Sequence, residues 1–223
     1  MRKSSYIFLW VMLFCVSSWA QSNIVSEASP KLKKFLSDNP KAAKIFTNAI
    51  SNAFSNRTVR LFYFYSNDDS EARAFHFYPN TAGCPNVMLC IRENQTPLDE
   101  FITTLFETLN SRNENAFANL FQDAYLGTKS REQFATEISR YEFEATKNTR
   151  SILLALKFGK KEINESDYYR IFVECPTNFD GFLSYSRNVS PQRDAFTEDE
   201  LKYDSLRKMY NESNSASNSP AKN

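Results

Sequence analysis

The chain has 223 residues, with 27 Lys and Arg against 26 Asp and Glu, so it is nearly neutral. Neutrality gives no electrostatic reason to expect nucleic acid or an anionic membrane as a partner. The four glycines lie far apart, which excludes a Gly-rich phosphate loop and the dinucleotide-binding fingerprint, because both need closely spaced glycines.

Residues 1–20 have the layout of a secretory signal peptide. Two basic residues precede an apolar run at 6–16, and small residues stand at the −3 and −1 positions of a cleavage point. The run is too short to span a bilayer, and no later segment is long and apolar enough to do so. The sequence therefore predicts a periplasmic or extracellular protein. Its mature chain is expected to begin near Gln21 with a flexible N-terminus at 21–29.

Two short helices are predicted after this N-terminus, at 30–36 and 40–54, because apolar residues recur there at helical spacing. Each begins at a proline, which the first helical turn tolerates. Lys31, Lys33 and Lys34 form a small basic cluster in the first helix. We interpret this cluster as a solvated helix face.

Three stretches rich in β-branched and aromatic residues predict strands. They are 58–65, 72–78 and 86–92. Residues 67–70 have turn chemistry, so the second strand is expected to return along the first. The third strand is apolar enough to be central. The predicted fold class is α+β, with a small, mostly antiparallel sheet of three to four strands packed against several helices.

Two more helices follow the predicted sheet. Thr96 can cap the first of them, and Pro97 fits its first position. After the polar stretch 111–113, a second helix is expected to end at Gly127, because glycine accepts the left-handed conformation of a C-cap.

The last part of the chain is predicted to be helical as well. Ser130 and Gln133 have the form of a capping box and open a long helix that reaches about Phe158. Two short helices are expected around Pro176, and a last helix from about 197 to 210. A single domain would thus cover 30–210. The Ser- and Asn-rich stretch 211–223 is predicted to be a disordered tail.

Residues 96–150 resemble the core of zincin metallopeptidases. In that family a helix after the sheet carries H-E-x-x-H, and a later helix supplies a third zinc ligand, often a glutamate in an E-x-x-A setting. The stretch from Phe106 through Glu107 to Asn110 stands at the first place, and Glu142 to Ala145 stands at the second. The resemblance implies a zincin-like core, and Glu107 would match the general base.

The diagnostic histidines are missing from this stretch. Two histidines four residues apart would present two imidazoles to one zinc ion. Phe106 cannot bind a metal, and Asn110 offers only a weak amide oxygen. The only histidine of the chain is His76, on a predicted strand. The resemblance therefore implies a metal-free relative with no cofactor.

Glu107 and Glu142 are the candidate catalytic residues. Together they would form a carboxylate pair of the kind that glycoside hydrolases use. Glu144 lies about 200° from Glu142 around the helix axis, so at most one of the two can face Glu107. A solvated or salt-bridged helix glutamate is the competing interpretation of Glu107.

Two functions remain open from the sequence. The first is an exported, non-catalytic binding or assembly domain with a degenerate zincin-like architecture and an unknown protein or peptide partner. The alternative is a metal-independent hydrolase of glycans or peptides that uses Glu107 and Glu142. The missing histidines favour the first.

Cysteines and aromatic residues leave two further questions open. The mature chain keeps Cys84, Cys90 and Cys175, and an odd number leaves at least one thiol free or paired between chains. Cys84 could pair with Cys90, or either could pair with Cys175. The aromatic residues of the first two strands could line a groove, although a packed core is the simpler interpretation.

Overall fold

The computed structural model describes residues 27–53, 58–65, 74–77, 86–189 and 195–217. The predicted signal peptide lies outside these residues, as does most of the predicted flexible N-terminus. Within the described part of the chain, no helix combines the length and apolarity needed to cross a bilayer.

Two N-terminal helices, α1 (Pro30–Asp38) and α2 (Pro40–Ala53), form where the sequence predicts them. The Ser29 hydroxyl caps α1 by accepting the backbone N–H of Leu32 at 3.0 Å. Each helix buries one apolar face in the main hydrophobic cluster. The buried side chains are Leu32, Phe35 and Leu36 of α1 and Ala42, Phe46, Ala49 and Ile50 of α2.

The sheet contains β1 (Thr58–Phe64), β2 (Ala74–Phe77) and β3 (Asn86–Arg92) in the order β1-β3-β2. β3 is central, as predicted, and its Leu89 and Ile91 are fully buried. β1 pairs with β3 in parallel along seven residues, whereas β2 pairs antiparallel with β3 along four. The longest pairing of the sheet is therefore parallel.

The predicted fold class, α+β with a small, mostly antiparallel sheet packed against helices, is wrong. The sheet rests on the parallel pair of β1 and β3, and most of the described residues are helical. The first two strands do not pair with each other, because β3 lies between them. The physical reason is burial: a central strand is covered along both edges, and β3 is the most apolar of the three.

Helix α3 (Pro97–Asn110) lies at the centre of the molecule and contacts α1, α2, β2, β3 and two later helices. The Thr96 hydroxyl caps it by accepting the N–H of Asp99 at 3.1 Å, as predicted. Its buried hydroxyl groups are satisfied within the helix, since Thr104 and Thr108 donate to carbonyls one turn earlier at 2.7 Å. A short 3₁₀ turn, Ser111–Asn113, follows.

Helices α4 (Glu114–Leu126) and α5 (Arg131–Leu156) come next. Gly127 ends α4 in the left-handed conformation at φ 76°, and the Ser130–Gln133 capping box opens α5, both as predicted. α5 is long enough to contribute to two hydrophobic clusters. Its first half packs with α4 in the smaller cluster, and its second half belongs to the main cluster together with residues of the sheet and α3.

Four further helices complete the described chain. They are α6 (Lys160–Asn164), α7 (Asp167–Glu174), α8 (Phe179–Val189) and α9 (Ala195–Ser217). α7 and α8 are the two short helices predicted around Pro176. α9 packs on α4 and α5, and the Arg207 guanidinium of α9 donates to the last-turn carbonyl of Tyr125 at 2.6 Å. α9 continues to Ser217, so its last turns occupy residues that the sequence assigns to the tail.

Candidate functional site

Glu107 lies on α3, inside the packed part of the molecule. Only 7% of the residue is exposed, and the neighbouring Thr104 and Thr108 are fully buried. The Glu107 carboxylate lies close enough to Cys90 of β3 to contribute to a raised pKa of that thiol. Glu107 is therefore a buried carboxylate on the side of α3 near β3.

The two positions that correspond to the zincin histidines have core environments. The ring of Phe106 packs on Phe172 of α7, with the ring centroids 5.3 Å apart. Asn110 is buried, with only 5% exposed, and its side-chain oxygen has no hydrogen-bond partner among the described residues. The contact with Phe172 explains why position 106 holds a large apolar residue.

Glu142 lies on α5 and is partly exposed, whereas Glu107 lies on α3 and is buried. The residue before Glu142, Tyr141, packs against Phe117 of α4, with the ring centroids 5.4 Å apart.

The two carboxyl groups of a glycoside hydrolase stand roughly 5–9.5 Å apart. That Glu107 and Glu142 form such an acid–base pair stays a prediction. Glu144 is exposed and forms an ion pair with Lys147 at 3.2 Å. Among the described residues, no three His, Cys, Asp or Glu side chains are grouped to hold a metal ion.

A buried polar cluster that the sequence analysis missed joins three elements near the N-terminus of α3. We call Ser29, Tyr63 and Glu100 the Glu100 cluster. The Glu100 carboxylate accepts the Tyr63 hydroxyl at 2.5 Å and the Ser29 hydroxyl at 2.7 Å, while the Ser29 N–H donates to the Tyr63 oxygen at 2.7 Å. Burial and then Glu100 raise the pKa of Tyr63, so it remains a protonated donor.

A second buried carboxylate, Asp99, connects α3 to α7. Its side chain is 3% exposed and accepts the hydroxyl of Ser166 at 2.5 Å and the N–H of Tyr168 at 3.1 Å. Ser166 also caps α7 by accepting the N–H of Tyr169. The sequence signal for Asp99 and Glu100 was their place in the first turn of a helix, which indicates a dipole interaction and gives no long-range partner.

The two described cysteines are reduced and are not joined to each other. Cys90 lies on β3, and Cys175 follows α7 in a cluster with Phe143 and Phe182. Burial raises the pKa of the Cys90 thiol to about 12 and that of the Cys175 thiol to about 11, from a usual value of 9.0. Both groups are therefore protonated and unreactive in the folded protein. Cys84 lies outside the described residues.

These thiols should be protected until the protein unfolds. Because burial raises the pKa of both thiols, alkylation of Cys90 and Cys175 at pH 8 is expected to be at least about a hundredfold slower in the folded chain than in the denatured chain, and slower at Cys90 than at Cys175. Mass spectrometry of peptides after timed iodoacetamide treatment measures each site separately. Equal rates in the folded and denatured chains would contradict the placement of these side chains.

The same shifts give a pH dependence with a defined sign. A folded-state pKa above the unfolded value stabilises the fold below about pH 9, and this contribution is lost as the pH rises toward 12. Cys90→Ala should therefore lose less stability than the wild type between pH 9 and 12 in urea denaturation. Cys175→Ala should show a smaller effect in the same direction.

Grooves on the described surface run along α9, along the first half of α5, and where α6 meets α7. Neither Glu107 nor Glu142 lines any of these three grooves. No family model matches the chain, and no curated protein or solved structure is significantly similar to it. The zincin resemblance thus stays a prediction.

Proposed function

We propose that this protein is an exported domain that acts by binding or assembling with a protein or peptide partner, without catalysis of its own. The observation that carries the proposal is the burial of Glu107, which is 7% exposed and faces the sheet. A general base must come within hydrogen-bond reach of the substrate. The carboxylate of Glu107 lacks such access.

The surroundings of Glu107 support the same conclusion. Phe106 and Asn110, which precede and follow it on α3, are used for packing in the interior. Neither Glu107 nor Glu142 lines any of the three grooves of the described surface.

Aromatic side chains at the end of β1 offer a surface for a partner. Phe62 is 39% exposed, and Tyr65, just past the end of β1, is 63% exposed, whereas Leu61 and Tyr63 belong to the main cluster. Aromatic residues at a surface supply large apolar contact areas, and tyrosine adds a hydroxyl group for hydrogen bonding. These two residues are therefore the first positions to test for partner binding.

The experiment compares the purified exported protein with its Glu107→Gln variant on peptide and glycan substrate libraries. We expect no turnover by either protein, because the carboxylate cannot reach a substrate. Glu142→Gln serves as the matched control on the other helix. Turnover by the wild type that Glu107→Gln abolishes would refute the proposal.

A second experiment measures which proteins the domain retains from the exported fraction. Phe62→Ser with Tyr65→Ser is expected to lose proteins that the wild type retains from the exported fraction of the host. Leu201→Ser with Met209→Ser changes two residues of similar exposure on α9 and should retain them. Retention of the same proteins by both double variants would exclude the end of β1 as the binding surface.

A further inference from the structure

The basic residues at one end of the molecule are all lysines. α1 and α2 together contribute five, and the segment from the end of α5 through α6 contributes three, with no arginine in either stretch. We call this set the lysine face. It consists of Lys31, Lys33, Lys34, Lys41, Lys44, Lys157, Lys160 and Lys161.

Contacts in the structure bring the two stretches together. The Lys41 ammonium of α2 donates to the carbonyl of Ala155 in the last turn of α5 at 2.6 Å. The ring of Phe35 on α1 contacts that of Phe158, just after α5, at 5.8 Å. Lysines that are more than 110 residues apart in sequence therefore share one end of the fold.

The acidic residues at this end do not neutralise the lysine face. Asp38 pairs with Lys34 at 2.8 Å, Glu165 approaches Lys161 at 3.9 Å, and the Glu162 carboxylate accepts the N–H of Gly159. Of the other six lysines, Lys41 binds a backbone carbonyl. The remaining five have no ion-pair partner in the described part of the chain; they are Lys31, Lys33, Lys44, Lys157 and Lys160.

The near-neutral total charge therefore conceals a local excess of positive charge. An apolar side chain lies beside it, because Leu154 on the outer face of α5 is 47% exposed, three residues before Lys157. Each lysine near an anionic bilayer contributes about 1 kcal/mol of binding, and a cluster of four to eight is typical of binding to acidic lipids. An exposed leucine among lysines adds apolar contact with the bilayer interface.

The chemistry of the lysine face favours a lipid surface over a nucleic acid. Arginine, with its planar fork, is the usual residue for specific phosphate contacts, and none is present here. Single-stranded nucleic acids also need exposed aromatic rings for base stacking. At this end of the fold the rings of Phe35 and Phe46 are buried, and that of Phe158 is partly buried.

We propose that the lysine face docks the exported protein on a membrane surface that contains anionic phospholipids, with Leu154 contributing an apolar contact beside it. The contact is peripheral and electrostatic, so it weakens as salt is added. Glu107 lies in the interior and takes no part in it, so the outcome of the substrate screen has no bearing on membrane docking.

The test is cosedimentation of the purified exported chain with vesicles of phosphatidylcholine alone or mixed with phosphatidylglycerol. The wild type should bind only the mixed vesicles and should be released by salt. The triple variant Lys31→Glu, Lys33→Glu, Lys44→Glu should bind them at least about tenfold more weakly. Leu154→Ser should weaken binding further in combination with this triple variant.

The matched control is Arg112→Glu, Lys147→Glu, Lys208→Glu, which makes the same change in net charge on exposed residues of other elements. It should bind the mixed vesicles like the wild type. Circular dichroism verifies that each variant is folded. The proposal is overturned if the wild type does not bind the mixed vesicles, if both triple variants lose binding equally, or if the wild type binds single-stranded DNA in preference to the vesicles.

Discussion

Replacing Phe101 with alanine is expected to lower the free energy of unfolding by about 3–5 kcal/mol, the largest effect of any single substitution discussed. Phe101 is fully buried on the central helix. Its ring contacts Phe35 of α1 at 5.5 Å, Phe46 of α2 at 5.8 Å and Phe158 at 6.1 Å. The substitution would leave a cavity where four separate segments meet, and rigid neighbours on three sides limit its collapse.

Urea denaturation followed by circular dichroism measures this effect. Phe62→Ala is the control, because it removes the same side chain from a position that is 39% exposed, and it should cost less than about 1.5 kcal/mol. Equal losses for the two variants would mean that Phe101 is not the packing centre that the ring contacts indicate.

Local interactions explain why most helices could be predicted from the sequence. The boundaries at Thr96, Gly127 and Ser130 depend on side-chain or backbone preferences within four residues of each position. Such local preferences can be recognised from the sequence alone. The start of α1 at Pro30 has the same origin, since proline fits the first turn of a helix.

The pairing of strands could not be predicted in this way. Turn residues between the first two strands suggested a hairpin, yet β3 lies between β1 and β2. What decides the order is the burial of Leu89 and Ile91, which depends on helices from distant parts of the chain. The apolar character of β3 predicted its central position, but it carried no information on the direction of β1.

The candidate site shows the same division between features that local sequence predicts and features that distant packing decides. Helical periodicity placed Glu107 and Glu142 on two helices that pack through their neighbours, and this could be read from the sequence. Whether either carboxylate reaches solvent depends on how deeply α3 is buried and on how α3 and α5 pack together. The Glu100 cluster was missed because its members come from three elements, far apart in sequence, and no spacing rule connects them.

Glu100→Ala is the second substitution with a large expected effect, a loss of about 3 kcal/mol in the free energy of unfolding. The change removes two charge-assisted hydrogen bonds and leaves the partly buried hydroxyl groups of Ser29 and Tyr63 without their acceptor. Glu100 itself is buried, so the loss should exceed that of an exposed hydrogen bond.

A double-mutant cycle separates the cluster from simple loss of side-chain volume. Tyr63→Phe removes one donor to Glu100 and the acceptor for the Ser29 N–H, and it should cost about 1–2 kcal/mol. The double variant should cost less than the sum of the two single variants by about 1 kcal/mol, because each change removes the same hydrogen bond. Additive losses would show that Glu100 and Tyr63 act independently. In that case Glu100 would stabilise α3 only through the helix dipole, and the link from β1 to the N-terminus of α3 would contribute nothing to the fold.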